Sequence, residues 1–170
     1  EDKFEVVVNG VDSSIFTQDH QIGDKLKEKL HLRLDSRVIG IVGRLDPIKN
    51  HEMFLLSASQ IVKEFSDLWF LVVGNGDQQR RQHLEELAAK LGIEDRVLWM
   101  TSVRNIEQVY NALTINTLCS HSESFPNAVI ESLSCGVPCV VTDVGDSDYI
   151  VGDTGWVVPP SEPLLLSKAI

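Results

Sequence analysis

The sequence predicts an α/β domain built on a doubly wound, Rossmann-like parallel sheet with helices on both faces. Short apolar runs alternate with segments of helical periodicity almost to the end of the chain, which is typical of such a fold. Several runs are continuously apolar, as in strands that are covered on both faces. With 170 residues, 43% of them hydrophobic, the chain can bury one sizeable core, and we predict a single domain over residues 1–170.

Six strands are predicted from the apolar runs. They lie at residues 38–42, 69–73, 97–100, 115–119, 138–142 and 156–158. Five strand–helix units in succession predict the doubly wound order of the sheet.

Helix signals stand between the predicted strands. Asn50 is predicted to cap one helix, Asn105 and Gln108 to begin another as a capping box, and Pro126 to open a helix that contains Glu131. The predicted inward faces of two helices are Phe54, Ala58, Ile61, Val62 and Phe65, and then Leu84, Leu87, Ala88 and Leu91 before Gly92.

Both ends of the sequence are predicted to be parts of longer structural segments. Residues 9–36 look like a connection followed by a charged helix, and the last residues, LLLSKAI, have the spacing of the middle of an amphipathic helix. We therefore expect residues 1–36 to lead in from a preceding N-terminal domain and the C-terminal helix to be truncated, so that the chain is a piece of a larger protein.

Charge and cysteine content narrow the class of function. The net charge is −10 and the basic residues are scattered, which argues against a nucleic-acid partner. Cys119, Cys135 and Cys139 are odd in number and lie in apolar surroundings, which predicts reduced, packed thiols and a cytoplasmic protein. No His or acid stands at ligand spacing from Cys135 and Cys139, so no metal site is predicted.

A transmembrane segment is not predicted. No apolar run approaches the roughly 18 residues that span a bilayer, and no basic-then-apolar signal opens the chain. Peripheral membrane association of the complete protein stays open.

The first strand-to-helix loop, GRLDPIKN at residues 43–50, is a candidate anion site. Ligands of such sheets bind beyond the carboxyl ends of the strands, where loops lead into helix N-termini. Gly43 allows close backbone approach, and Arg44 and Lys49 would place two cations beside a helix dipole, which suits a diphosphate. The alternative is that both are solvated surface charges.

Three further loops carry weaker signals. In VVGNGDQ, residues 72–78, Gly74 and Gly76 suggest a dinucleotide fold but lack the third glycine, and a tight turn is the alternative. In WMTSVRN, residues 99–105, Arg104 is either a surface or a site residue. In DVGDSDYI, residues 143–150, Gly145 stands beside acids that could close over a site or remain exposed.

The stretch SHSESFPNAVIESLSCGVPCVVT, residues 120–142, separates Glu123 from Glu131 by seven residues. One interpretation makes both acids solvated and Asn127 a helix cap. In the other, free N–H groups of Asn127, Ala128 and Val129 donate to an anion or to sugar hydroxyls, while Glu131 accepts hydrogen bonds from a diol such as a ribose.

The ordered set NGVD, VGRLDPIKN, VVGNGD, SESFPNAVIESLSCGVPCVVTDVG and TGWVVPP resembles the C-terminal domain of retaining GT-B glycosyltransferases of family 4. The resemblance covers nearly the whole chain, and the two acids eight positions apart are its strongest element. It implies one half of a GT-B fold that binds a nucleotide-diphospho-sugar donor. No cofactor and no metal are implied.

The resemblance also implies roles for individual residues. Arg44 and Lys49 match the basic pair that acts catalytically on the donor diphosphate, and Glu123 matches the catalytic acid near the transferred sugar. Glu131 matches the acid that holds the ribose. The remaining donor-binding positions are Gly43, Phe125, Asn127, Ala128 and Val129, with Thr101, Ser102 and Arg104 where backbone atoms read the base.

Two positions depart from the family pattern. Ser124 stands where the family often has glycine, and so does Asp146 after Gly145. Asp146 would repel a diphosphate unless its side chain points away.

The expected function is that of the donor-binding half of a retaining hexosyltransferase. We expect a UDP-sugar donor and a saccharide or glycolipid acceptor bound through the N-terminal domain, in surface polysaccharide synthesis, in the cytoplasm or at the inner face of the membrane. The isolated domain is expected to be inactive. The alternatives are a non-catalytic nucleotide-sugar-binding module and, on the GNGD motif, a dinucleotide-dependent oxidoreductase.

Overall fold

The computed structural model describes residues 7–65 and 67–170, so residues 1–6 of the predicted lead-in lie outside the described part of the chain. Helices and strands alternate along it. In chain order they are α1 (His20–Lys29), β1 (Arg37–Val42), α2 (His51–Ile61), β2 (Leu68–Val73), α3 (Gln78–Lys90), β3 (Val97–Met100), α4 (Glu107–Ala112), β4 (Ile115–Leu118), α5 (Asn127–Ser134), β5 (Cys139–Thr142), α6 (Ser147–Val151), β6 (Gly155–Val158) and α7 (Pro163–Ala169).

The six strands form one sheet in the order β3-β2-β1-β4-β5-β6, and every neighbouring pair is parallel. The predicted doubly wound parallel sheet is confirmed, and each predicted strand agrees with the structure within one residue at either end. The charged helix expected after the lead-in connection is α1.

Helices cover both faces because strand side chains alternate between them. On one face, Ile39, Ile41 and Phe70 pack under α2, α3 and α7. On the other face, Val38 and Leu71 pack under α1 and α4, and a smaller cluster joins α5 and α6 to β4 and β5. The sheet is thus buried on both sides, as its continuously apolar strands predict.

Two helix predictions need correction. Phe65 does not extend the inward face of α2, because the helix ends at Ile61 and Phe65 lies in the turn beyond it, 44% exposed, with the Arg37 guanidinium 5.3 Å from its ring centre. Asn105 does not cap α4, which begins at Glu107 without a side-chain cap. Asn105 lies in the turn before α4, and its carbonyl accepts a hydrogen bond from the N–H of Gln108.

Asn50 caps α2 as predicted. It adopts the left-handed conformation with φ +50°, and its side chain accepts a hydrogen bond from the N–H of Met53 at 3.2 Å. An asparagine tolerates this conformation better than most residues. The cap fixes the direction in which the β1 loop enters the helix.

The three cysteines are free and buried. Burial raises the pKa of the Cys119 thiol to about 12 and the pKa values of Cys135 and Cys139 to about 11. They are therefore protonated thiols at neutral pH, packed as small apolar side chains.

No helix within residues 7–65 and 67–170 combines the length and the apolar character that crossing a bilayer requires.

The loops that follow β1 and β2 touch along their backbones. The N–H of Leu45 donates to the carbonyl of Asn75 at 2.8 Å, and the N–H of Gly43 donates to that of Val73 at 2.9 Å. A Cβ atom at Gly74 would overlap the carbonyl oxygen of Gly43. Glycine is therefore required at position 74 by close packing between two loops.

We expect Gly74→Ala to lower the free energy of unfolding by about 2 kcal/mol, because the new methyl group forces the two loops apart. Urea denaturation measures this change. Gly10→Ala is the control, since a Cβ at Gly10 meets nothing within 4 Å. Equal stability of the two variants would contradict the packing argument.

Candidate functional site

The winding of the sheet reverses between β1 and β4. The loop after β1 leads to α2 on one face, and the loop after β4 leads to α5 on the other. The two loops diverge and leave a crevice, which is where open α/β sheets bind ligands. A cavity of about 380 Å³ lies at this point.

Eight of the residues predicted from the sequence line this cavity: Gly43, Arg44, Lys49, Glu123, Phe125, Asn127, Ala128 and Glu131. Five others complete the lining: Val42, Ile106, Tyr110, Leu118 and Pro126. The structure thus brings the two acids and the two cations to one place. Their roles in binding stay predictions.

Lys49 and Glu123 form an ion pair at the edge of the cavity. The Lys49 Nζ atom lies 2.5 Å from Glu123 Oε1, and the Ser120 hydroxyl donates to the same oxygen at 2.6 Å. The side chains of Lys49 and Glu123 are only 22% and 12% exposed. The pair therefore holds the Glu123 carboxylate in one orientation and leaves its second oxygen for other donors.

Backbone and side-chain bonds fix the loop that carries Glu123. The N–H of His121 donates to the carbonyl of Ile48 at 2.8 Å, and the Thr142 hydroxyl donates to the carbonyl of Ser120 at 2.8 Å. Further along, a Cβ at Gly145, where φ is +55°, would overlap the carbonyl oxygen of Glu123. The loops after β1, β4 and β5 therefore hold one another in place.

Glu131 lies in the second turn of α5 and faces α4. The Tyr110 hydroxyl donates to Glu131 Oε2 at 2.6 Å. The Tyr110 side chain is fully buried, and burial, followed by the charge of Glu131, raises its pKa. Tyr110 consequently remains a hydrogen-bond donor at any physiological pH.

The start of α5 presents backbone donors to the cavity. Pro126 stands at the cap position, and neither the N–H of Asn127 nor that of Ala128 has an acceptor among the residues described. The prediction of a free N–H group at Val129 was wrong, because this group donates to the carbonyl of Pro126 at 3.1 Å, and the Val129 side chain is buried in the core. Two free donors at the positive end of a helix suit an anion.

The Arg44 side chain is more exposed to solvent than that of Lys49. Its side chain is 76% exposed, and its ion-pair partner among the described residues is Asp46, at 3.8 Å. In the described part of the chain, the atoms nearest to a Cβ placed at Gly43 would be those of the Lys49 side chain, at 3.7 Å. Arg44 is thus an exposed cation that lines the cavity, whereas the bond to Glu123 holds Lys49 in place.

A family model described as "Glycosyl transferases group 1" matches residues 36–170. The chain belongs to this family. D-inositol 3-phosphate glycosyltransferase of Mycobacteroides abscessus is 33% identical over an alignment of 166 residues, which covers 92% of this chain and 36% of that protein. The enzyme of the same name from Acidothermus cellulolyticus is 31% identical over 99% of this chain and 40% of its own length. The chain thus spans well under half the length of these relatives.

Two solved structures have the same fold as this chain. The Anabaena protein Alr3699/HepE, in complex with UDP-glucose, superimposes with a TM-score of 0.88 at 24% identity, over 96% of this chain and 46% of that one. The C-terminal domain of the group 1 protein LpcC from Francisella tularensis superimposes with a TM-score of 0.80 at 23% identity, over 94% of this chain and 85% of that domain. The Rossmann-like sheet is therefore the fold of a group 1, GT-B glycosyltransferase domain.

Besides Val129, three predicted residues of this group 1 domain do not line the main cavity. Thr101 lines a neighbouring cavity of about 260 Å³ beside Leu45 and Gly74. Ser102 is bound to Asn75, whose side chain donates to the Ser102 hydroxyl at 2.5 Å and accepts from its N–H at 3.2 Å. Arg104 is exposed and lines neither cavity. A role for these residues in reading a base stays a prediction.

The glycines of the GNGD motif serve packing within this group 1 domain. Gly74 lies against the Gly43 backbone, and a Cβ at Gly76 would stand 2.5 Å from the Cβ of Leu45. Neither glycine has positive φ. Close packing between the two loops therefore accounts for both glycines without a bound dinucleotide.

The departures from the family pattern leave the cavity unaltered. Ser124 and Asp146 are both exposed and neither lines the cavity. They are joined by a backbone bond, from the N–H of Asp146 to the carbonyl of Ser124 at 3.0 Å. Asp146 therefore lies outside the lining of the cavity in which the sequence places a diphosphate.

The absence of a metal site remains a prediction. Among the described residues, no group of three or more His, Cys, Asp or Glu side chains is arranged around a point where an ion could bind.

Sequence reasoning missed three residues that contact the predicted site of this group 1 domain. Tyr110 and Ser120 donate to the two acids, and the Asn9 side chain donates to Asn127 Oδ1 at 3.0 Å. Asn9 belongs to the NGVD motif, which was the available signal for it. Tyr110 lies in the short helix α4, and the polar tip of its ring was its only signal in the sequence.

Proposed function

We propose that this domain binds the nucleotide-diphospho-sugar donor of a retaining glycosyltransferase. One observation carries the proposal: a single cavity at the switch point of the sheet is lined by Glu123, Glu131, Lys49, Arg44 and the free N–H groups at the start of α5. Such a set offers acceptors for sugar hydroxyls and donors for phosphate at the same time.

The diphosphate is proposed to lie at the start of α5. The N–H groups of Asn127 and Ala128, the helix dipole and the two cations Lys49 and Arg44 all favour negative charge there. As the sugar departs, negative charge grows on the diphosphate, and fixed donors stabilise that charge more than the ground state. Because this chain supplies these donors itself, we propose a transfer without a metal ion or another cofactor.

The two acids are proposed to hold the two ends of the donor. Glu131 accepts hydrogen bonds from the ribose hydroxyls. Glu123, whose orientation Lys49 and Ser120 fix, lies near the transferred sugar and stabilises positive charge at the anomeric carbon. Lys49 can contact a phosphate oxygen while it stays bonded to Glu123, because an ammonium group has three donors.

A UDP-sugar is the proposed donor. The similar Anabaena protein is crystallised with UDP-glucose and with UDP, and the curated relatives are named as glycosyltransferases. Acceptor binding is proposed for the part of the protein that precedes this chain. The proposed acceptor is a saccharide or glycolipid of a surface polysaccharide, reached from the cytoplasm or the inner membrane face. The isolated domain is proposed to be inactive, because catalysis needs both walls of the cleft.

We expect titration calorimetry to show binding of UDP in preference to GDP and ADP. Glu131→Ala should weaken UDP binding about 10- to 100-fold, since each hydrogen bond to a charged group contributes roughly 1.5–3 kcal/mol. The double variant Arg44→Ala, Lys49→Ala should weaken it at least as much through the diphosphate.

Matched controls separate local from general effects. Glu28→Ala on α1 and Arg33→Ala before β1 remove exposed charges outside the cavity and should leave binding unchanged. If no nucleotide binds at millimolar concentration, or if the controls weaken binding equally, the proposal is wrong. Donor turnover by the protein with its preceding domain distinguishes the transferase from a non-catalytic binding module.

A further inference from the structure

Tyr110 lines the cavity although its side chain is fully buried. Its ring is fully buried between α4, α1 and the sheet, beside the Phe16 ring with centres 6.1 Å apart and planes tilted by 57°. The hydroxyl donates to Glu131 Oε2 at 2.6 Å. The packing thus holds the ring in the core, and the hydroxyl at its tip contacts the Glu131 carboxylate.

This contact limits the freedom of Glu131. A glutamate on a helix surface samples several rotamers, and ordering such a long side chain costs up to about 2 kcal/mol of entropy. A short bond from a rigid donor selects the rotamers that bring Oε2 to Tyr110. Oε1 is left for other donors.

In the described part of the chain, the surroundings of Tyr110 offer its hydroxyl no hydrogen-bond partner besides Glu131. The neighbouring side chains of the core are mostly apolar, so a phenylalanine would pack there equally well. Among the described residues, the hydroxyl has Glu131 as its hydrogen-bond partner. A buried hydroxyl without a partner is unfavourable, so the Tyr110 hydroxyl requires an acceptor at position 131.

We propose that Tyr110 is a positioning residue that orients Glu131 toward the two ribose hydroxyls and so makes the domain select ribonucleotides over nucleotides that lack those hydroxyls. The inference rests on the proposed donor site. Tyr110 acts through the Glu131 carboxylate, to which its hydroxyl donates.

The test uses Tyr110→Phe, which removes one oxygen from a ring that the core continues to hold. Calorimetric dissociation constants are measured for UDP and for 2′,3′-dideoxyuridine diphosphate, with wild type, Tyr110→Phe, Glu131→Ala and the double variant. Tyr110→Phe should weaken UDP binding about fivefold, as expected for the loss of one hydrogen bond. It should leave the dideoxy analogue unchanged and add no loss to Glu131→Ala.

A purely structural role for the hydroxyl would give other results. Equal weakening of both nucleotides, additive losses in the double variant, or no effect of Tyr110→Phe where Glu131→Ala weakens UDP would each overturn the inference while the donor site stands. Failure of wild type to bind UDP would overturn the donor site and this inference together. Tyr149→Phe, at a tyrosine that is 75% exposed on α6, is the matched control and should change neither constant.

Discussion

Replacing Lys49 with methionine is expected to destabilise the domain by about 3 kcal/mol. The substitution leaves the Glu123 carboxylate mostly buried, and the Ser120 hydroxyl is then its one side-chain donor among the described residues. Removing one member of a buried ion pair leaves an uncompensated charge. Glu123→Gln should cost less, about 1 kcal/mol, because the flexible lysine stem can carry its ammonium group to water.

The double variant Lys49→Met, Glu123→Gln should recover most of the lost stability, since no buried charge remains. Urea denaturation of wild type, both single variants and the double variant measures the coupling between the two side chains. Additive losses would show that the pair contributes nothing to stability. Nucleotide binding should be weak in all three variants, including the double one, because these residues belong to the proposed site.

A fall in pH from 6.5 to about 4 is expected to cost the domain about 3 kcal/mol through His51. This side chain is fully buried at the start of α2, and neither ring nitrogen has a hydrogen-bond partner among the described residues. Burial, followed by the nearby Arg80 charge, lowers the pKa of His51 from 6.5 to about 4. The smaller effect of Lys49 lowers it further, while Glu52 and Asp46 oppose the change.

The direction follows from proton uptake. Between pH 6.5 and pH 4 the unfolded chain binds a proton at His51 and the folded domain does not, so the free energy of unfolding falls by about 1.4 kcal/mol for each pH unit. Above pH 6.5 this loss is absent, and below pH 4 it is complete. His51→Leu should remove it, whatever the variant's stability at pH 7.

Urea denaturation at several pH values between 7 and 4 measures this slope. The difference between wild type and His51→Leu isolates the histidine from the carboxylates, which titrate in both proteins. His20→Leu is the matched control for the substitution itself, because it makes the same change at an exposed position at the start of α1. A slope that is identical in wild type and His51→Leu would contradict the prediction.

The sequence predicted the strands and most of the site because both depend on local patterns. A buried strand is visible as an apolar run, and a loop that follows it lies at the carboxyl edge of a parallel sheet. Lys49, Glu123 and Asn127 all follow predicted strands within about ten residues, so their meeting at one edge followed from the fold class.

The missed features depend on contacts between distant elements. Tyr110 meets Glu131 because α4 and α5 cover the same face of the sheet, which the apolar spacing of α4 does not show. The end of α2 before Phe65 was misplaced because the apolar spacing continues into the following turn. Ser102 is bound to Asn75 of a different loop, so its availability to a ligand was not visible from its own position.

The contacts that orient Glu131 and Glu123 should form at different stages of folding. Glu131 and Tyr110 are 21 residues apart along the chain, whereas Lys49 and Glu123 are 74 apart and meet only after β1 pairs with β4. Contacts of small sequence separation close with less loss of chain entropy and form sooner. The contact that orients Glu131 should therefore precede the one that orients Glu123, and the nascent chain completes its cavity only after most of its length has been synthesised.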